Sequence, residues 1–126
     1  MSVVLDSSAV LAWMQEAPGG RQVRALLDGS VVGAANWSEI LQKAQQHGAV
    51  SHDVGRLLRA LGVAVAPVEE RDAERAARLW PTCPCLSLGD RLGLALAERL
   101  EVPAVTADAA WADAEVGVEV RLLRAG

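Results

Sequence analysis

The chain has 126 residues, 12 basic and 16 acidic side chains for a net charge of −4, and 52% hydrophobic residues with neither Phe nor Tyr. That length suits one domain, 1–126, whose core must rest on Leu, Val, Ala and four Trp. The composition excludes a disordered chain, and the acidic balance argues against gripping nucleic acid through a basic face. It leaves open a protein that reaches phosphate through bound metal.

Met1 leads into the apolar run VVL, which is too short for a signal sequence or a membrane span and lacks a basic flank. The expected location is therefore the cytoplasm, without membrane contact. SVVLD, residues 2 to 6, reads as a buried strand. SSAVLAWMQE reads as a helix stopped by the breaker cluster APGG, and RQVRALLDG as a second short helix closed by Gly29. SVVGA is a strand candidate. ANWSEILQKAQQHG is a helix with Trp37, Ile40, Leu41 and Ala44 at helical spacing, and HDVGRLLRALG is a further helix.

VAVAPV reads as a third strand and EERDAERAARLW as a helix stopped by Pro81, with Trp80 expected in the core. The loop PTCPCLSLG carries Cys83 and Cys85, too close to bridge and without the further ligands a zinc site needs. A helix then runs to about Leu100, followed by the strands PAVTAD and VEVRLL. Short continuous apolar strands alternating with helices predict an α/β three-layer sandwich around a mainly parallel sheet of about five strands.

In such a sheet, ligands gather outside the carboxyl ends of the strands. Asp6 follows the first strand and Asp108 the fourth, while Glu39 and Asp90 lie in the early turns of helices expected at the same edge. Each acid has an ordinary structural reading. Ser87 and Asp90 fit a capping box, and Asp6, Glu39 and Asp108 could each serve a helix start. Their convergence suggests more. Several carboxylates facing one cleft repel one another unless a cation sits among them, and an all-oxygen donor set suits Mg²⁺ or Mn²⁺. Such ions act on phosphate esters. His47 and His52 fall at a helix end and a loop, so no Ser/His/Asp set competes, and no P-loop spacing appears.

The stretches VVLDSSAVLAW, NWSEIL, LSLGDRLGLALA and PAVTADAAW together resemble the PIN domain, in particular the toxin ribonucleases of bacterial VapBC toxin–antitoxin pairs. The resemblance spans nearly the whole chain. It implies a PIN-like α/β/α sandwich with Asp6, Glu39, Asp90 and Asp108 as a catalytic, metal-binding acidic quartet for Mg²⁺ or Mn²⁺. Ser7 and Thr106 would line the site, Asp113 would be a further acid on its side, and Arg91 would contact RNA or pair with a neighbouring acid. It also implies an endoribonuclease acting on structured RNA of the tRNA or rRNA class, a homodimer, and a VapB-type antitoxin that covers the site.

The four acids account for a charge equal to the whole net charge, so the remaining charges balance. An acidic cleft of this kind attracts a basic antitoxin segment. Two rivals remain: a non-catalytic PIN-fold binding module, which an intact quartet disfavours, and a metal-dependent DNA nuclease, which the acids do not distinguish. Haloacid dehalogenase-type chemistry is excluded, because Ser8 stands where it needs an Asp and the one lysine, Lys43, is not late in the chain.

Overall fold

The apolar runs become five short strands in the computed structural model, which describes residues 2–114 and 116–124. Strands β1 (Val4–Leu5), β2 (Val31–Gly33), β3 (Ala64–Ala66), β4 (Ala104–Thr106) and β5 (Val120–Leu122) form one sheet in the order β3-β2-β1-β4-β5. Every pairing is parallel. The helices are α1 (Ser7–Met14), α2 (Arg21–Arg24), α3 (Ala34–Gln46), α4 (Ser51–Ala60), α5 (Glu70–Leu79) and α6 (Leu88–Leu100), with a 3-10 turn over Ala109–Asp113. The result is an α/β sandwich around an all-parallel sheet.

Side chains alternate across a strand, and that alternation divides the core in two. Val3, Leu5, Val32 and Val105 face Val10, Ile40 and Leu58 of the α1, α3 and α4 layer. Val4 and Ala104 face Leu79, Leu94, Leu96 and Trp111 on the other side. Leu5, Ile40, Leu58, Leu94 and Trp111 are among the largest fully buried side chains. Each such aliphatic side chain contributes about 1.5–3 kcal/mol through burial, so the two clusters hold both helical layers to the sheet.

The structure corrects the sequence reading in two places. The second helix covers only Arg21–Arg24, because Ala25 to Gly29 turn away before β2. Trp80 is 57% exposed rather than in the core, because α5 ends at Leu79 and Leu79 takes the buried place. Trp37 is half-buried against the core, and the Arg59 guanidinium lies 5.4 Å from its ring centroid and stacks on it. Cys83 is buried, Cys85 is exposed, and both are free thiols. Among the described residues, no helix is long and apolar enough to cross a membrane.

Candidate active site

Parallel pairing puts the carboxyl ends of all five strands on one edge, and the acids gather along it. Asp6 follows β1 directly and precedes α1, while Asp108 stands two residues beyond β4 at the start of the 3-10 turn. Glu39 lies in α3, which begins immediately after β2, and Asp90 in the first turn of α6.

Asp6 is the best-defined of the four. It is 2% exposed, and its Oδ2 accepts from the Ser8 hydroxyl at 2.6 Å and the Thr106 hydroxyl at 2.9 Å. Those hydroxyls in turn accept backbone N–H bonds from Ala107 and Asp108, both at 3.0 Å. The start of the β4 exit loop thus polarises two hydroxyls toward one carboxylate oxygen, a chain in which each bond strengthens the next. Burial pushes the Asp6 carboxyl up to about 6; the two hydroxyl bonds oppose that rise and the Asp90 charge adds to it.

The other oxygen of Asp6 is less engaged. The Ser7 Oγ lies 3.5 Å from Asp6 Oδ1 and 3.4 Å from Glu39 Oε1, so the two carboxylates flank one hydroxyl. A hydroxyl has one proton and donates to one of them at a time. Glu39 Oε1 also accepts from the Asn36 amide at 3.1 Å.

Asp90 and Asp108 each hold a helix start. The Ser87 hydroxyl accepts from the Asp90 N–H at 3.1 Å and the Asp90 Oδ2 accepts from the Ser87 N–H at 3.0 Å, the reciprocal capping box read from the sequence. Asp108 Oδ1 accepts from the Ala110 N–H at 3.0 Å. Among the described residues, no three acidic, His or Cys side chains stand close enough to hold a metal ion in their present rotamers. No ion pair among the described residues involves Asp6, Glu39, Asp90 or Asp108.

Arg91 turns away from these acids. Its guanidinium donates to the Ala76 carbonyl at 2.7 Å, near the C-terminal end of α5, where the macrodipole favours a cation. Thr106 and Ser7 lie where they line the carboxylates. The side chain of Asp113 falls outside the described part of the structure. Ser8 and Asn36 were missed by the sequence reading. The sequence reading names Ser8 only where dehalogenase-type chemistry needs an Asp and does not single out Asn36, yet both bind the acids directly. The signal for Ser8 was its place two residues after Asp6, within reach of the same carboxylate.

In sequence, no functionally curated protein matches the chain. In structure, the chain is similar to a toxin–antitoxin complex from Klebsiella pneumoniae, at 17% identity and TM-score 0.73, over 87% of this chain and 90% of that one. It is similar to VapBC-1 from nontypeable Haemophilus influenzae, at 16% identity and TM-score 0.71, over 98% of both chains. Mycobacterium tuberculosis VapC20, described as a toxin cleaving the sarcin-ricin loop, matches at 16% identity and TM-score 0.72, over 94% of this chain and 98% of that one. At such identities the likeness concerns the fold. The family profile described as PIN domain matches residues 3–116, and with most of its length so covered the chain belongs to the PIN domain family.

Proposed function

We propose that this chain is a divalent-metal-dependent endoribonuclease, the toxin of a toxin–antitoxin pair, with Asp6, Glu39, Asp90 and Asp108 as its metal-binding acids. The observation that carries the reading is Asp6: a buried carboxylate at the carboxyl edge of the sheet, held by uncharged donors and, among the described residues, without a cationic partner. A buried carboxylate of that kind costs stability until a cation arrives. The donor set around it is oxygen, and the two histidines stand apart. His47 is bonded to the Lys43 carbonyl at the end of α3, and His52 is exposed in α4. That chemistry fits Mg²⁺ or Mn²⁺.

When bound, such an ion polarises a phosphodiester and lowers the pKa of a water ligand. The chain's own contribution is positional. Ser8 and Thr106 saturate Oδ2 of Asp6, which leaves Oδ1 as its donor beside Glu39 Oε1. Asp90 and Asp108 each keep one oxygen outside their recorded cap bonds. Those free oxygens are the ones that would complete the donor set around a bound ion. The acidic edge then favours a basic segment of a cognate antitoxin, and two copies of the chain would present two such edges.

The test is cleavage of total bacterial RNA by the purified protein, freed of any partner, in Mg²⁺ or Mn²⁺, with an EDTA control and Asp90→Asn. The reading expects discrete products that need both metal and Asp90. Equal cleavage by the variant overturns the site assignment, and no Mn²⁺ binding by the wild type overturns the metal reading and leaves a non-catalytic PIN-fold module.

A further inference from the structure

Asn36 is 1% exposed and sits one helical turn before Glu39 in α3. An Asn near a helix start ordinarily caps its own helix. Here it reaches across instead: Nδ2 donates to Glu39 Oε1 at 3.1 Å and to the Gly89 carbonyl at 3.2 Å. Both partners are acceptors, so only the amide nitrogen fits there, and both of its hydrogens are used. Gly89 immediately precedes Asp90 in the first turn of α6. One side chain therefore ties the carboxylate of Glu39 to the turn that carries Asp90.

Three glycines clear the space for this arrangement. A Cβ at Gly33 or at Gly93 would stand 3.2 Å from Asn36 Oδ1, and one at Gly89 only 2.9 Å from Glu39 Oε1. Glu39 is a long side chain with several rotamers, and without a fixed partner its carboxylate would spread over them. The Asn36 amide selects the rotamer that places Oε1 beside Ser7, facing Asp6.

We infer that Asn36 is a positioning residue of the metal site, holding Glu39 and the Asp90 turn in register through its two amide hydrogens. The inference rests on the reading of these acids as metal ligands. Partners that orient a ligand from behind typically change metal affinity about 10–100-fold when removed.

The test is a titration of Mn²⁺ alone, followed by electron paramagnetic resonance of the free ion, with thermal melts of every variant. Asn36→Leu keeps the branching and number of side-chain heavy atoms and removes both donors. Gly89→Ala pushes the Glu39 carboxylate through its flexible end while improving the helix, so it separates binding from folding. Both variants are expected to bind Mn²⁺ at least ~10-fold more weakly, with Gly89→Ala melting at or above the wild type.

Folded Asn36→Leu that binds Mn²⁺ as the wild type does, while Asp90→Asn does not, overturns the role of Asn36 and leaves the metal site standing. If Asn36→Leu does not fold, wild-type affinity in Gly89→Ala overturns it instead. Absence of Mn²⁺ binding by the wild type, or equal binding by Asp90→Asn, removes the metal reading and this inference together.

Discussion

Asp6 and Asp72 are buried alike, 2% and 3% exposed, yet their carboxyls move in opposite directions. At Asp72, between α5 and α6, burial pushes the carboxyl up, but the Arg99 guanidinium at 2.8 and 3.0 Å and the Glu69 N–H outweigh it and hold it below the ordinary value. At Asp6 the Ser8 and Thr106 hydroxyls and the Ser7 N–H answer the burial, none of them charged, and the carboxyl stays raised. The seam between α5 and α6 is stapled again by Arg75, which binds Glu98 through Nε at 2.6 Å and Nη2 at 3.0 Å. Arginine supplies the countercharge where acids join helices; among the described residues, no ion pair does so at the sheet edge. The first region is complete in itself, and the second leaves a buried carboxylate without a countercharge.

The comparison is broken most sharply by catalysis. Asp6→Asn is expected to lower metal-dependent RNA cleavage by about 1,000-fold, the scale of losing a metal ligand worth several kcal/mol. Arg99→Ala should leave Mn²⁺ affinity within twofold of the wild type. A large cleavage loss in Arg99→Ala, matched by its Mn²⁺ affinity, would erase the distinction between the two regions.

Stability sharpens it next. Arg99→Ala strands the buried Asp72 charge and is expected to cost about 3 kcal/mol in urea unfolding at pH 7. The sign with pH is fixed by the depressed Asp72 carboxyl. The Arg99 contribution is present above the unfolded value near 4 and is lost as pH falls through the lower folded value. The variant should therefore lose less stability on acidification than the wild type.

Asp6 runs the other way. Its folded value of about 6 lies above the ordinary value of 3.8, so the folded state holds the extra proton between them. Metal-free stability falls as pH rises through that window, and the penalty is complete above it. Asp6→Asn is expected to stabilise the metal-free protein by about 2 kcal/mol at pH 8, less than the ~3 kcal/mol implied by the shift, because its amide introduces a new donor. The gain should vanish near pH 4. Added Mg²⁺ should raise the wild-type melting temperature and not that of the variant.

The smallest effect belongs to the second staple. Arg75→Ala removes a half-buried pair and is expected to cost about 1 kcal/mol, read by urea unfolding, with no change in Mn²⁺ binding.

Helix and strand positions were legible because periodicity is local: α3, α4 and α5 lie within their expected runs or one residue beyond them, and α6 begins two residues inside the expected loop. The Ser87–Asp90 box was legible for the same reason, since both partners lie within one turn. Trp80 was not, because Pro81 announces where a helix stops and says nothing about which way its last side chain points. Arg91 was left between RNA and an acid, and its carbonyl partner on α5 belongs to a different helix.

The sequence by itself determined the elements and named the acids, through hydrophobic period, breakers and the place of each acid relative to its strand or helix. Only the tertiary structure decided the strand order, the hydroxyl clasp on Asp6 and the reach of Asn36 to Gly89. Those bonds join residues far apart in the chain, Thr106 to Asp6 and Asn36 to Gly89. The physical reason is that capping and periodicity act within a turn, whereas the electrostatics of a cleft depend on which distant groups the sheet brings to its edge.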